Sequence, residues 1–138
     1  MFLDDVALAD CAVDIEGRDL ADVFETAAAA LAEIMVEPAT VPTTVTRRIE
    51  LSAPALDLLL YDWLSELIYR KDRDREIFSE TRVRVSGSGP YGLSAEATGG
   101  AIDAERTALG ADAKAVTFHQ LALEPVAGAW RARVVIDI

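Results

Sequence analysis

The 138-residue chain is 51% hydrophobic, carries 24 acidic against 13 basic residues for a formal charge of −11, and has one cysteine and one histidine. That length suits a single α+β domain over residues 1–138 with an ordinary core. The charge excludes unaided grip on a phosphate backbone, which needs concentrated basic surface, so no direct nucleic-acid binding is expected. Cys11 alone excludes an intramolecular disulfide and a zinc thiolate cluster, and it reads as a small buried apolar residue.

The opening Met1-Phe2-Leu3-Asp4-Asp5 lacks the basic region and apolar run of a signal peptide. No apolar stretch reaches the roughly 20 residues that cross a bilayer, so a cytoplasmic protein with no membrane partner is expected. Leu8 to Glu16 alternates Ala9, Cys11, Val13 and Ile15 with a largely acidic face, which predicts a first strand. Gly17-Arg18 turns the chain. Asp19 caps a helix whose apolar positions Leu20, Phe24, Ala27, Leu31 and Ile34 keep helical spacing until Glu37-Pro38.

A connection rich in Pro and Thr, Pro38 to Thr44, leads to a second strand carrying Val45, Arg47, Ile49 and Leu51. Ser52-Ala53-Pro54 is a helix-start signal with the proline in the first turn. Leu56, Leu59, Leu60, Trp63, Leu64, Leu67 and Ile68 then form one apolar stripe, which predicts a central core helix. Its end, Arg70 to Arg75, is a mixed charge run expected to be solvated.

Phe78 to Val85 and Tyr91 to Thr98 flank Gly87-Ser88-Gly89-Pro90 and predict a hairpin. Gly87 to Gly92 also spells G-x-G-x-x-G. The dinucleotide fingerprint needs a helix N-terminus after it, whereas this one runs into a strand and Pro90 removes an N–H, so that reading is rejected. Gly99 to Ala113 has no sustained period and predicts a long functional or mobile loop. Strand character resumes at Lys114 to Leu123, Glu124 to Gly128 turns, and Trp130 to Ile138 closes the chain. The whole predicts a mixed or antiparallel six-stranded sheet with two helices packed on one face.

In the last strand Trp130, Ala132, Val134, Ile136 and Ile138 alternate with Arg131, Arg133, Val135 and Asp137, so the chain is expected to end inside its own fold. Asp137 and the α-carboxylate of Ile138 are then adjacent negative charges in a poorly solvated place, a seed for a cation site. Nucleophile elbows, Walker loops and two-histidine metal motifs are missing from the sequence. His119 reads as a hydrogen-bonded structural histidine in a strand, with a ligand or general-base role as the alternative. Carboxylates remain: Asp10, Asp112, Asp137 and the C-terminal group, oxygen donors that suit Ca²⁺, Mg²⁺ or Mn²⁺.

Taken together, several stretches resemble the archease family along nearly the whole chain. They are Leu3 to Asp10, Gly17 to Phe24, Leu59 to Leu67, Lys114 to His119 and Val135 to Ile138. Archaeal members begin Asp-His-Thr-Ala-Asp-Val-Gly; here that box reads Asp5-Val6-Ala7-Leu8-Ala9-Asp10, without the histidine, as in a bacterial branch. The resemblance implies an accessory protein, not itself an enzyme, for the tRNA-splicing RNA ligase that joins 2′,3′-cyclic-phosphate or 3′-phosphate ends to 5′-hydroxyl ends. In that family the accessory protein speeds the ligase's metal- and GTP-dependent guanylylation and its multiple turnover. The resemblance also implies a divalent-metal site from Asp10, Asp137 and Ile138, with Asp112 and Lys114 at the family's loop-to-strand junction. A chaperone-like partner of RNA-modifying enzymes, such as a tRNA methyltransferase, is the alternative role.

Overall fold

The computed structural model describes residues 10–138; of the N-terminal box, residues 5–9 lie outside the described residues and Asp10 lies within them. The α+β class is borne out: the described residues form two α-helices and six strands, all paired antiparallel. The expected six-stranded sheet is divided into two sheets of three. β1 (Asp10–Gly17), β6 (Ala129–Asp137) and β5 (Ala115–Val126) form one, in the order β1-β6-β5. The other contains β2 (Val45–Ala53), β4 (Tyr91–Ala101) and β3 (Glu76–Gly87), in the order β2-β4-β3.

The last strand is central. β6 lies between β1 and β5, and its Ala132, Val134 and Ile136 are buried opposite Ile15, Val13 and Cys11 of β1. On β1 every second residue, from Asp10 to Glu16, is exposed, the alternation expected of a sheet with one wet face. The second sheet behaves likewise. Ile49, Leu93, Ala95 and Val83 are buried, while Arg48, Glu96 and Arg82 lie exposed and in register across its three strands.

Helix α1 (Leu20–Met35) starts at Asp19, whose side chain accepts the Asp22 N–H at 2.8 Å. Its buried face, Val23, Phe24, Ala27, Ala28, Leu31 and Ala32, joins the core, and Glu25 caps the edge of the second sheet by accepting the Val83 N–H at 2.9 Å. Helix α2 (Leu56–Asp74) buries the predicted stripe, with Trp63 fully buried and its indole N–H donating to the Phe24 carbonyl at 3.0 Å. Pro54 precedes the N-cap, Ala55, and so lies one step outside the first turn where the sequence predicted it. Both helices contact strands of both sheets, and the core is the space between them.

Two local features differ from expectation. Gly99 and Gly100 belong to β4, because β3 carries a bulge between Phe78 and Glu80 that brings backbone against Gly99: a Cβ there would meet the Ile77 carbonyl oxygen. The turn between β5 and β6 is shorter than Glu124 to Gly128. It is the pair Ala127-Gly128, both at positive φ (46° and 83°), as a tight hairpin requires.

Candidate functional site

Along the β1–β6 ladder the residues on the outer face of β1 meet partners on β6 in pairs: Asp10 with Asp137, Ala12 with the buried Val135, Asp14 with Arg133, and Glu16 with Arg131. Asp14 and Glu16 face cations. The Arg133 guanidinium donates to both Asp14 oxygens at 2.9 and 2.7 Å, and Arg131 approaches Glu16 at 3.7 Å. At the other end carboxylate faces carboxylate. Directly opposed residues of an antiparallel pair have Cβ atoms about 4.5–5.5 Å apart, and like charges so placed destabilise the sheet.

Asp10 is exposed, and Asp137 and Ile138 are half-buried. Asp137 is also held from its other side. Ala115 lies opposite it in the β5–β6 ladder, and the Lys114 backbone N–H donates to its carbonyl at 2.7 Å. Asp10, Asp137, Ile138 and Lys114 thus gather at one end of the first sheet. Among the described residues no three His, Cys, Asp or Glu side chains form a metal cage. The two facing carboxylates, with main-chain oxygen at Ile138, make a donor set of oxygen alone, chemistry that fits a hard cation whose remaining coordination comes from water or a partner.

Asp112 and His119 are elsewhere. Asp112 points to the end of α2, where it accepts a hydrogen bond from the Lys71 ammonium. That bond holds its carboxyl below the usual carboxylate range. His119, expected as a hydrogen-bonded structural histidine in a strand, lies in β5 and is exposed: the strand departs from register between Thr117 and Ala122, and Gln120 takes positive φ there, so it swells outward. The swelling seats Phe118 on Tyr61 of α2, rings stacked at 4.2 Å.

Lys71 was missed as a structured residue. It sits in the charge run expected to be solvated, yet it is 5% exposed, with its ammonium on Asp112, on Asp72 at 2.7 Å and on the Ala113 carbonyl at 2.8 Å. Burial works to lower its pKa, but the bonds to Asp112 and Asp72 outweigh it and the pKa is raised. The signal was present, because position 71 continues the stripe at i+4 from Leu67 and i+3 from Ile68.

Among the described residues no helix is long and apolar enough to cross a membrane. The model of the Archease protein family matches residues 2–138. Protein archease of Methanosarcina barkeri is 36% identical over 132 residues, 94% of this chain and 90% of that protein. The corresponding protein of Methanosarcina acetivorans is 38% identical over 88% of this chain and 85% of its own length. Among solved structures, that of protein 1598 of Methanobacterium thermoautotrophicum superposes with a TM-score of 0.78 at 32% identity, covering 94% of this chain and 93% of that one. A Thermotoga maritima structure, described as an archease and possible chaperone, superposes at 0.62 with 20% identity over 94% and 91% of the two chains, a likeness of fold. The chain belongs to the archease family.

Proposed function

We propose that this protein is an accessory protein that binds a GTP-dependent RNA ligase of the tRNA-splicing type and activates it, promoting guanylylation and multiple turnover. Membership of the archease family supports an accessory role, and the ligase is the partner that the sequence resemblance implies. One observation carries the site: Asp10 faces Asp137 on a ladder whose two other charged pairs each match acid with base. An arrangement that repels itself as an empty sheet end is favourable around a cation, so Asp10, Asp137 and the Ile138 carboxylate are the residues that would hold Ca²⁺, Mn²⁺ or Mg²⁺. When bound, such a cation supplies concentrated positive charge to a partner whose guanylylation is metal-dependent.

The rest of the chain fits a helper that does not compete for RNA. With a net charge of −11 it is drawn to the basic surface of an RNA-binding ligase and repelled by phosphate. Lys114 tethers the Asp137 carbonyl, which keeps the sheet end from fraying as the partner docks.

The test is a guanylylation assay with the cognate ligase, alone and with wild-type protein, Asp137→Asn, Asp10→Asn or a C-terminal peptide extension. The extension converts the Ile138 carboxylate to a neutral amide while leaving Val134 to Ile136 able to pack. Wild type should stimulate the ligase and all three variants should lose that effect while staying folded. Stimulation by the variants equal to wild type removes the site. Failure of wild type to stimulate removes the ligase reading in favour of a chaperone role, the one named for the Thermotoga protein, which predicts a more soluble partner with no metal requirement.

A further inference from the structure

We propose that Lys71 is a positioning residue for the Asp10–Asp137 end, fixing through residues 112–114 the backbone from which Asp137 presents its carboxylate. The inference rests on the reading of that end as a cation site.

A lysine near a helix C-terminus ordinarily extends along the surface and leaves its ammonium in water. Lys71 turns inward from the last turn of α2, and its three donors meet three acceptors: Asp112, Asp72 and the Ala113 carbonyl. A buried ammonium is tolerated only when so satisfied. Both residues it grips in the loop, Asp112 and Ala113, immediately precede the residue that matters at the sheet end.

That residue is Lys114, whose N–H holds the Asp137 carbonyl, and Ala115 after it opens β5 opposite Asp137. Upstream, the loop is tied to the end of α1 by Gly110 N–H on the Met35 carbonyl at 2.7 Å and Ala111 N–H on the Ile34 carbonyl at 2.9 Å. Between those ties and Lys114, the bonds recorded at residues 112 and 113 are the ones from Lys71. Asp137 is therefore supported by β1 on one side, and on the other by a short segment whose position is set by a helix through one ammonium group. Asp112 joined the sheet-end residues in the sequence pattern, and its place in the molecule is in this connection.

A lysine that served only the end of α2 would stabilise the fold without changing affinity at the sheet end. The test is Lys71→Met, studied by calorimetric titration with Ca²⁺ and by hydrogen exchange of the Lys114 amide, at a temperature where circular dichroism shows the protein folded. Leu60→Ala, about three turns earlier on the same helix, supplies a destabilised comparison. Lys71→Met should weaken Ca²⁺ binding by about 10- to 100-fold, as loss of a residue orienting a ligand does, and speed exchange at Lys114. Leu60→Ala should lower the melting temperature and leave affinity unchanged, and Lys71→Arg should recover part of the affinity. If Lys71→Met does not fold, Asp112→Asn decides. Its side chain is 70% exposed, and a severalfold loss of affinity supports the role whereas wild-type affinity overturns it. Wild-type affinity in folded Lys71→Met overturns the inference and leaves the cation reading standing. A wild-type protein that binds no Ca²⁺ overturns both.

Discussion

The two ends of the β1–β6 ladder both carry carboxylates on β1 but set them against opposite charges. At one end Asp14 and Glu16 meet Arg133 and Arg131, ordinary cross-strand complementarity on a wet face. At the other, Asp10 meets Asp137 with no cation opposite. The second sheet follows the first pattern, since Glu96 of its central strand lies between Arg48 and Arg82. Complementary pairing is thus how this protein treats charges on its sheets. The exception lies where the family resemblance implies a metal, and it is the observation on which the proposed site rests.

Both ends of the ladder rest on one core, and the largest effect comes from removing part of it. Trp63→Ala deletes a fully buried side chain and its bond to the Phe24 carbonyl, so it should cost about 2–5 kcal/mol in urea unfolding and disturb both ends alike. An unchanged midpoint would contradict the packing. Acid comes next. Hydrogen bonds from Arg47 hold the Glu76 carboxyl below its ordinary value, as the bond from Lys71 does for Asp112. A depressed folded-state pKa gives stability that is present above the unfolded value and lost as pH falls through the folded one. The urea midpoint should therefore decline below about pH 4.5, and a midpoint that rises there would contradict those pairs.

Arg133→Ala breaks the complementary end itself. Asp14 is exposed and Arg133 partly so, and the loss should be about 1 kcal/mol by thermal melting, with Ca²⁺ making no difference to it. The smallest effect is on RNA: the isolated protein should show no measurable binding to tRNA at physiological salt, and micromolar, salt-sensitive binding would contradict the accessory role.

Much of this was legible in the sequence. The alternation of Trp130 to Val134 marked β6, and the spacing of Leu59 to Ile68 marked α2, because each periodicity records a face already committed to the core. Pairing was not legible. Nothing in the period of β1 or β6 states that the first described strand lies beside the last, or that the register sets Asp10 against Asp137 rather than one residue along. The division into two sheets is hidden for the same reason. The swelling of β5 carries no glycine to announce it, since Gln120 takes the positive φ, and Lys71 was concealed by five charged neighbours that do face outward or pair at the surface. The family resemblance named the sheet-end residues without the register that brings two of them face to face.

The most direct test compares thermal melts of wild type and Asp137→Asn, each with and without Ca²⁺. Without the ion, Asp137→Asn should melt at or above wild type, because it removes one of two opposed charges. With Ca²⁺ well above its dissociation constant, wild type should gain stability by mass action and overtake the variant, whose melting temperature should stay in place. Equal responses of the two proteins to Ca²⁺, or a variant less stable than wild type in the absence of the ion, would contradict the account.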